Sequence, residues 1–254
     1  MSEEIKEIDH VLIQGDTGTG KSSGIETLDP KETFVINTDN KALPFPSAGY
    51  KTVVNNGELD YSKSNYVRLP AHKDNVIKVP KILRSAIQQP RIKTVVLDTI
   101  TTPLVDYFMQ TLDIKGKEIY GKFNKMGFYV YDILQIMANS TNTRVIIISH
   151  TDVVTDENGQ KIEVMKSVGG KLADEKVKFP TRLNMVLTSK VKRKNKINSY
   201  VLETQSDGLS TTKSLRGLFD DFEIKNDLQY VIDCLDYYRN GGEKPKAPEL
   251  NNIN

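Results

Sequence analysis

The chain has 254 residues, of which 38% are hydrophobic, and its 35 basic and 33 acidic side chains give a net charge of +2. This composition allows one large domain or two small ones with a sizeable core, and no apolar run approaches the roughly 20 residues that a membrane span needs. We therefore expect a soluble, cytoplasmic protein with no membrane partner.

A phosphate-binding loop follows the first predicted strand, at 10–14. Residues 15–22 match the pattern G-x-x-x-x-G-K-[ST], known as Walker A, which we call the phosphate loop. Its glycines let successive backbone N–H groups face a phosphate, Lys21 is expected to be a solvent-facing charge at the β/γ-phosphates, and the Ser22 hydroxyl is expected to ligate Mg²⁺. The predicted binding residues for ATP and Mg²⁺ are Gly15, Asp16, Thr17, Gly18, Thr19, Gly20, Lys21, Ser22 and Ser23. The alternative is a glycine-rich turn that matches by chance.

The rest of the chain alternates predicted strands and helices. Strands are predicted at 33–37, 50–54, 66–69, 93–98 and 144–150, and helices directly after the phosphate loop and at 73–88, 103–112 and 123–139. Continuous apolar strands alternating with helices are typical of a parallel sheet that is covered on both faces. Helical spacing over 128–137 predicts that most aromatic residues clustered at 116–131, Phe128 among them, belong to the core. The alternative is a surface on which they lie beside Lys115, Lys117, Lys122 and Lys125.

Two predicted strands end in polar residues that are able to bind a metal ion or a phosphate. The buried strand at 93–98 ends in Asp98, which we expect to hold Mg²⁺ beside the phosphate loop; capping of the next helix is the alternative. The next strand ends in Ser149 and His150. There, His150 is expected either to sense the γ-phosphate and signal to the following loop, or to be structural.

Beyond this strand, Asp156-Glu157-Asn158-Gly159 predicts a hairpin turn. Residues 176–196 hold eight basic side chains and no acidic one, which indicates either a phosphate-facing surface or a solvated face. Strands at 183–188 and 200–203 are expected to flank a basic hairpin. A final helix carries Leu228, Val231 and Leu235 on one face, with Asn226 as its expected cap and Cys234 as a buried structural thiol.

This order of motifs resembles the ATPase core of RecA-like recombinases over about residues 9–208, and in size it resembles the phage single-strand annealing ATPases of the Sak type. The resemblance rests on the phosphate loop, Asp98, Ser149-His150, the Val168-Gly169-Gly170-Lys171 loop and the two closing strands. It implies an α/β RecA-like P-loop NTPase core, a mainly parallel sheet flanked by helices with a closing β-hairpin. The expected domain covers 1–240, and a disordered tail covers 241–254.

The resemblance also implies partners and roles. The segment at about 151–180 would contact single-stranded DNA through Lys166, Gly169, Gly170 and Lys171. In the basic hairpin, Lys194 and Lys196, with Arg193 as the next choice, would reach the ATP of a neighbouring subunit. Asp39 is the only acid where RecA-like enzymes place a catalytic glutamate, so we expect slow hydrolysis. The catalytic candidates are Lys21, Asp98, His150, Asp39, Lys194 and Lys196.

The expected function is therefore ATP-dependent binding of single-stranded DNA for annealing or strand pairing in recombination. The expected partners are single-stranded DNA, further copies of the chain in a ring or filament, and a single-strand binding protein. Two other functions stay open: a non-catalytic nucleotide switch in a replication or packaging complex, and a small-molecule kinase with the same loop.

Overall fold

A mainly parallel β-sheet runs through the centre of the protein. The computed structural model describes residues 7–155, 157–166, 177–194 and 197–250, apart from the Lys194 side chain. Within these ranges nine strands form one sheet, and helices pack against both of its faces, which confirms the expected fold class. No helix in the same ranges is long and apolar enough to cross a membrane.

The described residues contain eleven strands and four α-helices, numbered here in chain order. The strands are β1 (Val11–Gly15), β2 (Thr33–Asn37), β3 (Val54–Asn55), β4 (Glu58–Leu59), β5 (Tyr66–Arg68), β6 (Thr94–Asp98), β7 (Arg144–Thr155), β8 (Lys161–Met165), β9 (Met185–Lys194), β10 (Ile197–Glu203) and β11 (Glu223–Lys225). The helices are α1 (Asn75–Ile87), α2 (Thr101–Met109), α3 (Glu118–Ala138) and α4 (Leu228–Asn240), and two 3₁₀ helices span Lys21–Thr27 and Phe179–Arg182.

The strand order of the sheet is β11-β10-β9-β1-β7-β6-β2-β5, and β8 pairs with the outer part of β7. Strands β5, β2, β6, β7, β1 and β9 are parallel to their neighbours in that row. The antiparallel strands β10 and β11 close one side, and the antiparallel β7–β8 pair forms the predicted hairpin. Strand β11 was not predicted, because three residues are too few to show a period.

The central strands are buried on both faces. Alternate residues such as Leu12 and Phe34 pack against α1, α2 and α3, whereas Ile13 and Val35 pack against α4 and the first 3₁₀ helix. Because both faces are covered, every residue of β1, β2 and β6 is buried. This is why these strands are continuous apolar runs in the sequence.

The carboxyl ends of four parallel strands meet at one edge of the sheet, which we call the carboxyl edge. Gly15 of β1 pairs with His150 of β7, and Asp98 of β6 lies between Asn37 of β2 and Ile148 of β7. In parallel sheets, ligands bind outside this edge. The register therefore brings the phosphate loop, Asp98 and His150 to one place.

The predicted strand at 50–54 is wrong, since only Val54 joins a strand, the two-residue β3. In the segment before it, the Lys51 N–H donates to the Asn65 side chain at 2.7 Å, and the Val53 N–H donates to the Ser64 hydroxyl at 2.9 Å. Side chains thus take the place of a neighbouring strand.

The expected burial of the aromatic residues on α3 is largely wrong. Tyr120, Phe128 and Tyr131 are 73%, 63% and 47% exposed, while Tyr129 is 1% exposed. The buried face of α3 centres on Tyr129 and Ile133, and a step of one residue turns a helix by about 100°. Phe128 and Tyr131 therefore lie on the opposite, solvent-facing side.

The C-terminal helix α4 differs from its prediction only at the cap. The Asp227 carboxylate, not Asn226, accepts a hydrogen bond from the Tyr230 N–H at 3.0 Å. The helix ends before Gly241, whose φ of 74° suits a glycine. Cys234 is buried, as predicted.

Candidate functional site

The phosphate loop turns sharply between β1 and the 3₁₀ helix that begins at Lys21. Gly18 and Gly20 have φ angles of 81° and 87°, which favour glycine. Within the loop, Asp16 accepts hydrogen bonds from the Thr17 N–H at 2.6 Å and, through its backbone carbonyl, from the Thr19 hydroxyl at 2.9 Å. These hydrogen bonds fix the path of the loop backbone.

Lys21 is buried, which corrects the expectation of a solvent-facing charge. Its Nζ donates to the Gly15 carbonyl at 2.9 Å and the Asp16 carbonyl at 2.7 Å. Burial lowers the pKa of Lys21, and the nearby Asp98 carboxylate opposes that change. Two loop carbonyls thus hold the ammonium inside the phosphate loop.

Distant residues support the outer side of the phosphate loop. The Ser189 hydroxyl of β9 donates to the Thr19 carbonyl at 2.7 Å, and the Asn226 amide donates to the Gly20 carbonyl at 2.6 Å. A Cβ on Gly20 would lie 2.4 Å from the ring of Tyr200 on β10. Residues of β9, of β10 and of the junction between β11 and α4 therefore fix the backbone of the loop, and only glycine fits at position 20.

Asp98 has the features of a metal ligand. It is 4% exposed, its Oδ1 is buried without a hydrogen-bond partner among the described residues, and the carboxylate is hydrogen-bonded to the Ser22 side chain. Burial raises the pKa of Asp98 to about 6, with a further contribution from Asp39, while Ser22 and Lys21 lower it. A carboxylate and a hydroxyl in contact are oxygen ligands that suit Mg²⁺, so both residues proposed for the metal fit it.

Asp39 lies beside Asp98 and is held by its surroundings. It accepts a hydrogen bond from the Thr102 hydroxyl and forms an ion pair with Lys41 at 3.7 Å. The Asn37 side chain supports this turn by accepting from the Asn40 N–H at 3.1 Å and donating to the Lys41 carbonyl at 2.8 Å. A carboxylate so placed is able to orient a water and accept its proton.

Ser149 and His150 contact the first residue of α2, Thr101. The Ser149 hydroxyl lies 3.0 Å from the Thr101 hydroxyl, and the His150 N–H donates to the same Thr101 oxygen at 3.3 Å. Burial, and then the charge of Lys21, lower the pKa of His150 from its usual value of 6.5. Its ring is therefore neutral at pH 7 and available to a phosphate as a hydrogen-bond donor.

These groups line one cavity of about 290 Å³, which we call the nucleotide cavity. The predicted residues that line it are Thr17, Gly18, Gly20, Lys21, Ser22, Ser23, Asp39, Asp98 and His150, whereas Gly15, Asp16 and Thr19 do not. Sequence reasoning missed Asn37, Lys41, Ala42, Leu43, Pro44, Thr99 and Tyr200. Of these, Asn37 carried a signal as the polar end of a buried strand, while Tyr200 carried none.

A second space opens beside the nucleotide cavity, at the ends of β6 and β7. Asp16, Asp39, Thr102, His150 and Lys166 are among the residues that line it. The Lys166 N–H donates to the His150 carbonyl at 2.7 Å, so the second strand of the β7–β8 hairpin ends beside the site. Of the residues predicted to contact DNA, Gly169, Gly170 and Lys171 lie outside the described residues.

The basic hairpin of β9 and β10 is only partly described. Lys190 pairs with Glu163 of β8, and Lys192 pairs with Glu223 of β11. Arg193 forms no ion pair with a described carboxylate. The Lys194 side chain and Lys196 lie outside the described part, so their role in a neighbouring subunit stays a prediction.

Comparison with protein families adds an independent observation. A family model described as an AAA domain matches residues 9–214, which include the phosphate loop, both polar strand ends and the β7–β8 hairpin. None of the curated proteins is significantly similar in sequence. The matched region stops before β11 and α4, although Asn226 at their junction bonds directly to the phosphate loop.

Proposed function

Because this chain belongs to the AAA domain family of P-loop ATPases, we propose that it binds and hydrolyses ATP with Mg²⁺ and uses this cycle to bind single-stranded DNA. The outcome that we propose is annealing or strand pairing in recombination, as in the phage proteins that the sequence resembles. Nucleotide binding with Mg²⁺ is general in this family. The DNA and the recombination pathway are the specific part of the proposal.

Four residues carry the proposed ATPase chemistry. Lys21 stabilises charge at the β/γ-phosphates, Ser22 and Asp98 hold the metal, and Asp39 orients the attacking water. The bound Mg²⁺ supplies further neutralisation of phosphate charge. Since aspartate reaches one methylene less far than the glutamate of RecA-like enzymes, we expect slow hydrolysis.

The observation that carries the DNA proposal is the continuity of β7. This strand has buried residues in the core, His150 at the nucleotide cavity, and exposed residues in the hairpin beyond it. Lys166, at the end of the hairpin, is bonded back to His150. A change at His150 therefore reaches the hairpin through one strand and one backbone hydrogen bond, which supports nucleotide-dependent contact with DNA.

The alternative functions have less support. A kinase lid would bring arginines to the phosphates, but no arginine is among the described residues that line the nucleotide cavity. A non-catalytic switch is favoured by one observation, since no glutamate is among those lining residues. A measurable turnover of ATP would distinguish the proposed ATPase from the non-catalytic switch.

The test is a titration of the protein into fluorescently labelled single- and double-stranded oligonucleotides, by anisotropy, with and without Mg²⁺·ATP. We expect preferential single-strand binding that depends on ATP and weakens with salt by about 0.7 log units per log salt for each phosphate contact. The His150→Ala variant should bind ATP, measured by calorimetry, but lose the effect of ATP on DNA affinity. Absence of DNA binding at micromolar protein would reject the DNA part and favour the kinase or the switch.

Assembly is a further part of the proposal. We expect copies of the chain to form a ring or filament in which the basic hairpin completes the ATP site of a neighbour, and a single-strand binding protein to present the DNA. Sedimentation of the protein with and without ATP and oligonucleotide tests the self-assembly directly.

A further inference from the structure

A separate cavity of about 440 Å³ lies at the base of the β7–β8 hairpin, and we call it the hairpin cavity. Apolar side chains line most of it: Leu104 of α2, Val130 of α3, Val154 and Val164 of the hairpin, and Phe179 of the second 3₁₀ helix. Its volume lies within the range of sites that bind small molecules. The ATPase chemistry proposed above does not use it.

Two lysines at the hairpin cavity have no carboxylate partner among the residues that the structure describes. Lys166 and Lys178 both line this cavity, and neither forms an ion pair with a carboxylate of the described residues. By contrast, the nearby Lys190 and Lys192 are both paired. Among the described residues, lysines without a carboxylate partner thus lie beside an apolar cavity, which is the arrangement expected for a ligand that joins a flat apolar group to phosphates.

The cavity also offers polar groups that suit a nucleobase. The exposed Asp152 carboxylate is an acceptor for N–H groups on a base edge. The Thr181 hydroxyl donates to the Lys178 carbonyl at 2.8 Å, so it presents a further acceptor. Lys178 has a φ of 49°, and the residues that directly follow it, at 179–181, also line the cavity.

Two connections join the hairpin cavity to the nucleotide site. Lys166 lines both this cavity and the space beside His150. Thr211, also at the cavity, accepts a hydrogen bond from the Gln14 side-chain amide at 2.9 Å and donates to its oxygen at 3.1 Å. Gln14 directly precedes the phosphate loop.

We propose that the hairpin cavity takes one unstacked base of the bound single strand, with Lys166 and Lys178 contacting the flanking phosphates. This inference rests on the proposed DNA-binding function and gives it a location. Holding one base out of the stack fixes the position of the strand on the protein, and both connections above then report its presence to the ATP site.

The test uses Val154 and Val153, which lie next to each other on β7 and on opposite faces of the hairpin. Val154 lines the cavity and is 45% exposed, whereas Val153 does not line it and is 60% exposed. Val154→Trp should fill the cavity and lower single-strand affinity about tenfold, the typical loss for one stacked base. Val153→Trp adds the same bulk to the same strand and should bind like the wild type.

The readout is a single-stranded oligonucleotide with one 2-aminopurine, whose fluorescence rises when the base leaves its stack. We expect a rise on binding to wild type and Val153→Trp, and none with Val154→Trp. If the wild type binds DNA without any rise and both tryptophan variants bind equally, the base cavity is overturned while the DNA function stands. If the wild type binds no DNA, both are overturned. Reduced self-association of Val154→Trp with unchanged DNA affinity would assign the cavity to a protein partner instead and overturn the proposal.

A second variant avoids any change in the apolar lining. Lys178→Asn keeps a residue that tolerates positive φ and removes the charge, so the slope of log affinity against log salt should fall by about 0.7. An unchanged slope would mean that Lys178 contacts no phosphate, against the proposal. Binding of Mg²⁺·ATP, measured by calorimetry, should be unaffected and reports that the variant is folded.

Discussion

Replacing Asp98 by asparagine should stabilise the nucleotide-free protein above neutral pH and weaken its binding of Mg²⁺·ATP. Asp98 is buried, and its Oδ1 has no hydrogen-bond partner among the described residues. An ionised carboxylate in that position is costly until a cation arrives. Asparagine has a similar shape without the charge, so the cost disappears together with the metal ligand.

The size of the effect follows from the raised pKa of Asp98. A rise of the Asp98 pKa from the ordinary 3.8 to about 6 corresponds to about 3 kcal/mol in the free energy of unfolding. Because folding raises this pKa, the stabilising contribution of the protonated carboxyl is fully present below pH 3.8 and is lost as the pH rises through about 6. The Asp98→Asn variant does not titrate there. The free energy of unfolding of the variant should therefore exceed that of the wild type by nearly zero at pH 4 and by about 3 kcal/mol above pH 7.

Thermal unfolding without nucleotide, between pH 4.5 and 8.5 at constant ionic strength, measures this difference. For a chain of this size, we expect a gap in Tm of roughly 6–12 °C at pH 8 and a much smaller one at pH 4.5. Added Mg²⁺·ATP should raise the Tm of the wild type and have less effect on the variant. Asp152→Asn makes the same substitution at an exposed carboxylate, and as the control it should leave the Tm close to that of the wild type. A gap independent of pH, or a variant less stable at pH 8, would refute the reasoning.

Three further predictions concern the phosphate loop and the basic hairpin. Lys21→Ala should abolish ATP binding in calorimetry, and it should also lower stability by about 1–3 kcal/mol because two loop carbonyls lose their partner; unchanged ATP affinity would contradict the role of Lys21. Gly20→Ala should reduce ATP affinity much more than Gly18→Ala, since both positions have positive φ but only Gly20 has a tyrosine ring against it; equal losses in the two variants would show that the ring contact is unimportant. Alanine at both Lys194 and Lys196 should spare ATP binding but stop DNA-stimulated hydrolysis, and mixing with Lys21→Ala protein should restore some activity; an inactive mixture in which mixed oligomers form would rule out action on a neighbour.

The parallel core could be predicted from the sequence because its signals are local. Strand β2 has the predicted bounds of 33–37, and β6 and β7 start within one residue of theirs. Each is a continuous apolar run, which a strand buried on both faces requires. Parallel strands also bring their carboxyl ends to one edge, so the sequence alone is enough to place Asp98 and His150 near the phosphate loop.

The outer support of the loop could not be predicted in this way. Asn226 bonds to Gly20 across 206 residues, and Ser189 bonds to Thr19 across 170. No pattern near either residue indicates such a contact, and Asn226 beside a helix start favours the wrong interpretation as a cap. The solvent-facing position of Phe128 was missed for a related reason, because an aromatic residue near an apolar stripe does not reveal on which side of the stripe it lies.

The bond between Asn226 and the Gly20 carbonyl also has a consequence for how the protein is made. Ribosomes add about 5–20 residues per second, so Asn226 is synthesised about 10–40 s after the loop that it supports. During that interval the phosphate loop lacks its contact with Asn226 and, at first, also its contact with Ser189 of β9. Nucleotide affinity should therefore appear late on the growing chain, and ribosome-bound chains arrested before residue 226 should retain ATP much less well than those arrested after α4 has emerged.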